Sequence, residues 1–302
     1  MSDHTTPATI TQAAPVLGAA TRLGPVHLTV TDLERSIVFY EQSIGLITHE
    51  RRDDSVSLGA GGEDHLVLTE DPTARRAGHH SGLYHVAILH PSRLELARAV
   101  LRLATTRTTI DGASDHTISE AIYLADPDGN GIELAADRPR EAWPSMADPS
   151  LGIIQPLDLN ALAGLAAGEE VAPHVDPAAR VGHVHLYVGD IDAATRFYRD
   201  LIGFEVQMAI PGAMFVSAGG YHHHIGFNTW RGRGIPSQPP GVVGLGYWTL
   251  ILETADEMAT VVSRLNAAGA ATEPHEGGIL ARDPSGIAVH IRFERIGSSR
   301  PR

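Results

Sequence analysis

The feature that most constrains this chain is that it is written twice. Gly24-Pro25-Val26-His27-Leu28-Thr29-Val30 leads through a helical stretch to Phe39-Tyr40 and Ile44-Gly45-Leu46. Gly182-His183-Val184-His185-Leu186-Tyr187-Val188 leads in the same way to Phe197-Tyr198 and Ile202-Gly203-Phe204. A second pair is interleaved with the first. Leu83-Tyr84-His85-Val86-Ala87-Ile88, a helix and Asp126-Pro127-Asp128-Gly129-Asn130-Gly131-Ile132-Glu133-Leu134 match Gly246-Tyr247-Trp248-Thr249-Leu250-Ile251, a helix and Asp283-Pro284-Ser285-Gly286-Ile287-Ala288-Val289-His290. The order is A, B, A, B, and a repeat of this kind outranks local propensity as a guide to architecture.

Each module opens on residues that alternate apolar with other types, the period of a strand. Helical spacing follows, in Leu33, Ile37, Tyr40 and Ile44 of module one and in Met258, Val261, Val262 and Leu265 of module four. Thr254 with Glu257 forms a capping-box pattern, Pro91 suits a first helical turn, and Gly45, Gly203 and Gly269 suit helix ends. Asp-Pro-Asp-Gly and Asp-Pro-Ser-Gly are turns before a last strand. The chain is therefore predicted to be α+β, with four βαβββ modules: a disordered tail over residues 1–20, a domain over 21–138, a linker over 139–179 and a domain over 180–295.

Composition narrows the chemistry. Among 302 residues there is no cysteine, which removes disulfides, thiolate metal sites and thiol nucleophiles and fits a reducing compartment. There is no lysine either, so all 23 basic residues are arginine, and no Gly-x-Ser-x-Gly elbow occurs. Covalent catalysis is disfavoured. A formal charge of -13 with no long basic run disfavours nucleic acid and anionic membranes as partners. No stretch is long and apolar enough to span a bilayer and no leader is evident, so a cytoplasmic location is expected. Histidine is the outlier, with 17 residues.

Strand alternation places those histidines. Val26, Leu28 and Val30 share one face and His27 takes the other; Val184, Leu186 and Val188 oppose His185, and Ile132 and Leu134 oppose Glu133. A carboxylate on the concave side of a curved sheet is costly unless something positive meets it. Two histidines and one carboxylate with open positions suit a non-haem Fe(II) centre. A lone strand histidine is more often a hydrogen-bonded structural residue, and Glu133 alone would read as a solvated edge residue. Histidines at equivalent positions of several modules weigh against that reading.

The fourfold module, the Phe-Tyr and Ile-Gly helix ends and the DPDGNGIEL segment resemble the vicinal oxygen chelate superfamily over residues 21 to 295. GLYHVAIL, GASDHTISEAIYLADPDGNGIEL, DRPREAWP, GHVHLYVGD and GGYHHHIGFNTW together resemble its catechol 2,3-dioxygenase group, particularly the two-domain Bacillus-type members. The resemblance implies two curved mixed-sheet half-barrel pairs, with a metal ligand on the first strand of one module and two more on the first and last strands of its partner. His85 and Glu133 match the latter two. In module four Trp248 stands near the place of His85, and His290 replaces Glu133. The third ligand is His27 if modules pair in chain order and His185 if module two pairs with module three. The second arrangement is favoured, because it brings His222, His223 and His224 into the same cavity.

By the same resemblance His223 is the acid-base group, with His222 and His224 as alternatives. Tyr123, ten residues before Glu133, matches a tyrosine that hydrogen-bonds catecholate, and His116 a substrate-contacting histidine. Without the resemblance, Tyr123 reads as a packed aromatic and His116 as a turn residue; His79, His80 and His90 read as solvated. The implied reaction is Fe(II)-dependent extradiol cleavage of an aromatic diol by O2. Two rivals share the fold: a glyoxalase-like lyase or isomerase using Mn, Ni or Zn with a fourth protein ligand, and a non-catalytic small-molecule-binding protein. Monomer and homo-oligomer fit the sequence equally.

Overall fold

The computed structural model describes residues 17–76, 78–144 and 154–294. Most of the tail expected to be disordered lies outside them. Its last described part is packed: Leu17 is buried and the Gly18 N–H donates to Glu257 Oε1 at 2.5 Å.

The four modules form two curved mixed sheets. In the first, the opening strands of modules one and four, Arg22–Val30 and Gly244–Leu252, run antiparallel side by side at the centre. In the second, Gly82–His90 of module two and Arg180–Tyr187 of module three do the same. Within every module the opening strand pairs in parallel with the last strand, as Gly82–His90 does with Gly131–Asp137. Pairing is thus two with three and one with four, and each sheet takes one module from each half of the sequence.

Alternation assigns the strand faces as expected. Val26, Leu28 and Val30, Val86 and Ile88, Ile132 and Leu134, and Val184 and Leu186 are all buried in the core. The helices run Leu33–Phe39, Arg93–Thr105, Ile191–Thr195 and Ala255–Ala267. Side-chain caps start them: Asp32, Ser92, Asp190 and Thr254, the last in a complete capping box with Glu257. Pro91 precedes the cap at Ser92 and does not occupy the first turn.

The first and third helices widen into π-helical turns, Tyr40–Ile44 and Arg196–Ile202, which end on Gly45 and Gly203 with left-handed backbone. There Arg102 donates to Ile44 O at 3.1 Å, and Arg264 to Leu201 O at 2.8 Å. The tyrosine of each Phe-Tyr pair, Tyr40 and Tyr198, is fully buried. Tyr40 OH donates to Asp126 Oδ2 at 3.0 Å and Tyr198 OH to Asp283 Oδ2 at 2.9 Å. Module one is tied in this way to the Asp-Pro turn of module two, and module three to that of module four.

The segment between the halves is not a bare connection where it is described. Gln155–Pro156 adds a short edge strand beside Gly112–Asp115, and the helix Leu159–Ala163 starts on an Asp158 cap. Leu162, Ala166 and Val175 are buried, and the Val175 N–H donates to Gly45 O at 2.9 Å. Among the described residues, no helix is long and apolar enough to cross a membrane.

Candidate metal centre

The register across the second sheet decides which side chains meet. His183 lies opposite Ala87, and Ala87 opposite Glu133, so those three form one row across three strands. His185 lies opposite His85 in the neighbouring row. The methyl side chain of Ala87 leaves a gap between His183 and Glu133, and the His85 imidazole fills it diagonally. Three atoms converge there: His85 Nε2 is 3.0 Å from Glu133 Oε2, His183 Nε2 is 3.2 Å from the same oxygen, and the two Nε2 atoms are 3.2 Å apart.

All three residues are buried. Donors held at right angles about 2.1 Å from one divalent ion stand about 3 Å from each other, so the spacing fits facial coordination by two imidazoles and a carboxylate. His85, Glu133 and His183 are the group among the described residues that could hold a metal ion. Burial alone would raise the Glu133 carboxyl, but His183 and His85 outweigh it and hold it well below the ordinary carboxylate range. A neutral His85 that offers a lone pair at Nε2 carries its proton on Nδ1, and this buried Nδ1 has no hydrogen-bond partner.

The expected third histidine is therefore displaced by one pleat. His185 is on the same face and its ring centroid is 5.1 Å from that of His85, but its Nε2 pairs with Asn228 Nδ2 at 2.9 Å. To reach Glu133, His185 would have to cross the intervening strand on the diagonal, whereas His183 crosses it within one row. Burial holds the His185 imidazole well below its ordinary pKa. His27 belongs to the other sheet, where it stacks on Tyr247 with centroids 3.8 Å apart.

In that other sheet the same register puts Tyr247, rather than Trp248, at the place of His85; Trp248 points into the core. His290 replaces Glu133 and Pro25 replaces His183. A cavity of about 260 Å³ remains there, bordered by Pro25, His27, Thr249 and His290. Its donor set does not match that of the second sheet.

The remaining expected residues surround the triad. Tyr123 lies opposite Glu133 on the adjacent strand, and its hydroxyl is 2.7 Å from His116 Nε2. Burial, then Glu133, pushes the Tyr123 phenol far above its ordinary pKa. The His223 ring lies against His183, with centroids 4.1 Å apart, and burial followed by the His183 charge holds its pKa well below the ordinary value. His222 bonds Asp137 and His223, while His224 turns away to accept the Ala218 N–H at 3.2 Å. Of the histidines expected to be solvated, His79 is exposed but His80 and His90 are buried.

An aromatic wall completes the site. Tyr84, Trp230 and Phe215 surround His185, with ring centroids 5.1, 5.4 and 5.5 Å from its imidazole, and Tyr84 and Trp230 meet edge to face at 5.6 Å. His183, Asp137 and this wall escape a reading of single strands. Only His183 carried a signal, as the first histidine of the His-Val-His alternation.

Comparison with known proteins agrees with this architecture. The model of the Glyoxalase/Bleomycin resistance protein/Dioxygenase superfamily matches residues 22–134 and 180–291. The chain is 41% identical over 271 residues to the catechol-2,3-dioxygenase of Bacillus subtilis (strain 168), covering 87% of this chain and 94% of that protein. It is 24% identical over 124 residues to biphenyl-2,3-diol 1,2-dioxygenase 3 of Rhodococcus globerulus, covering 39% of this chain and 65% of that one. Its fold is similar to the solved structure of a putative dioxygenase from Bacillus subtilis subsp. subtilis str. 168, with a TM-score of 0.62 at 13% identity over 90% of this chain and 84% of the other.

Proposed function

The chain belongs to the Glyoxalase/Bleomycin resistance protein/Dioxygenase superfamily, and from that premise we propose that it is an Fe(II)-dependent extradiol dioxygenase acting on catechol or a substituted catechol with O2. The observation that carries this reading is the convergence of His85 Nε2, His183 Nε2 and Glu133 Oε2 within 3.2 Å of one another at a buried point of the second sheet. The similarity to the Bacillus subtilis catechol-2,3-dioxygenase, over nearly the whole of both chains, supports it.

In this reading His85, His183 and Glu133 hold the iron. Bound there, Fe(II) would supply Lewis acidity toward a diol hydroxyl and redox chemistry toward O2. The protein supplies the rest. Three ligands on one side leave the other side for substrate. Tyr84, Phe215 and Trp230 offer flat apolar surface to an aromatic ring. The paired Tyr123 hydroxyl and His116 imidazole hydrogen-bond the substrate oxygen beside Glu133. His223, against His183, takes a hydroxyl proton and returns it as the ring opens, a role suited to a neutral imidazole.

A redox-neutral glyoxalase-like reaction on Mn, Ni or Zn would call for a fourth protein ligand from residues 222 to 224. Among the described residues the cluster has three members, His85, Glu133 and His183, which favours the dioxygenase. The test is oxygen uptake by anaerobically purified, Fe(II)-loaded protein on adding catechol. Stoichiometric uptake with a coloured ring-fission product is expected. Stoichiometrically bound iron without uptake across a panel of catechols would overturn the assignment, and failure to bind any divalent metal would point to a binding protein.

A further inference from the structure

Four residues beyond Glu133 on the same strand, and so on the same face, stands Asp137. It lies at the head of a side-chain chain that ends on His223. Asp137 Oδ2 accepts the Tyr221 hydroxyl at 2.8 Å, and Asp137 Oδ1 is 3.0 Å from His222 Nε2. On the other side of that ring, His222 Nδ1 is 2.7 Å from His223 Nδ1. His222 is 7% exposed and held between the Tyr221 ring, 4.0 Å away, and the Trp143 ring, 5.3 Å away.

Hydrogen-bond bookkeeping then leaves one neutral arrangement. An ionised carboxylate only accepts, so the proton on His222 sits at Nε2 and its Nδ1 is a lone pair. Two ring nitrogens 2.7 Å apart need one N–H between them, so His223 carries its proton on Nδ1. Its Nε2 is left as the lone-pair nitrogen. We propose that Asp137 and His222 are positioning residues that lock His223 in this tautomer, presenting Nε2 as a proton acceptor beside the metal centre.

The inference rests on the reading of His223 as the group that moves the substrate proton. When a diol hydroxyl gives its proton to Nε2, the Nδ1–H of His223 still points at His222 Nδ1. The positive charge is then shared along the chain toward the Asp137 carboxylate, as a carboxylate does for a histidine base elsewhere. Without His222, His223 is free to place its proton on Nε2 and so present a donor where an acceptor is needed.

The test compares His222→Leu with His222→Gln in the full chain. A Gln side chain can donate its amide N–H to Asp137 and accept the His223 Nδ1–H with its carbonyl, so it preserves the polarity of the chain; Leu does not. The first readout is the imidazole 15N NMR spectrum of the diamagnetic Zn(II)-loaded protein, which distinguishes the two tautomers without requiring turnover. The Nδ1–H form of His223 is expected in the natural protein and in His222→Gln, and its loss in His222→Leu. The second readout is steady-state kinetics on the Fe(II)-loaded protein. His222→Leu should lower kcat by at least about tenfold at unchanged metal content, with KM little affected, and His222→Gln should restore it. An Nδ1–H signal retained in His222→Leu, or a Gln variant as impaired as Leu, would overturn the proposal. The expected tautomers in a protein with no ring-cleaving activity would keep the lock and sink the dioxygenase reading.

Discussion

His183 and His185 project from one face of one strand, two residues apart, and differ only in what stands across from them. His183 shares a row with Ala87 and Glu133, whereas His185 faces His85 and bonds Asn228. Removing a donor from a set of three should cost more than the roughly 10–100-fold lost with an outer partner of a metal ligand. His183→Ala is therefore expected to lose the metal loaded into the site, while His185→Ala and His27→Ala keep stoichiometric metal by elemental analysis; the opposite pattern would remove His183 from the site. Tyr123→Phe deletes only the hydroxyl, which pairs with His116 and also bonds Glu133; with both histidine ligands and the carboxylate intact, metal should stay while kcat falls by roughly a hundredfold. Metal loss in that variant would mean that the phenol serves to hold Glu133. At this scale alternation along a strand is legible in the sequence and identifies the face that carries His85, Glu133 and the His-Val-His pair. Register is not, because it is set by the neighbouring strand, and it alone separates His183 from His185.

The helix ends and the Asp-Pro turns make sense only as pairs of elements. Asp283 accepts the Ser285 and Ile287 N–H groups at Oδ1 and the Tyr198 hydroxyl at Oδ2. Burial raises its carboxyl to about 6 despite these bonds. A protonated Asp283 keeps the geometry, since Oδ2–H can donate to the tyrosine oxygen instead. The folded chain thus holds this proton more tightly than the unfolded chain, so the contribution is full below about pH 4 and is lost as pH rises through about 6. Asp283→Asn mimics the protonated form, with its amide nitrogen facing Tyr198. Urea unfolding of both proteins between pH 4 and pH 8 should show the natural chain losing stability relative to the variant as pH rises, by about 3 kcal/mol at most. A pH-independent difference would show that the carboxyl is ionised throughout. The Phe-Tyr and Asp-Pro motifs are each plain in the sequence, but their bond joins residues 85 positions apart and is not.

Over the whole molecule, the two halves of the sequence exchange modules to build the sheets. His85 and Glu133 come from the first half and His183 from the second, across the antiparallel pairing of Gly82–His90 with Arg180–Tyr187. Either half made alone would expose the edge of both central strands and carry an incomplete ligand set. Fragments 1–153 and 154–302 are expected to retain no iron singly and to regain it when co-expressed; an isolated half that binds iron would contradict a site shared between them. The sequence by itself determined the module, its repetition, the α+β class and the concave faces, because each of these depends on periodicities of a few residues and on turn and cap chemistry within a few more. Which modules became neighbours, which of two equivalent histidines met Glu133, and how His223 is held through His222 and Asp137 were decided by tertiary structure. Those contacts join strands whose register is chosen by the packing of entire sheets, and no local spacing contains that choice.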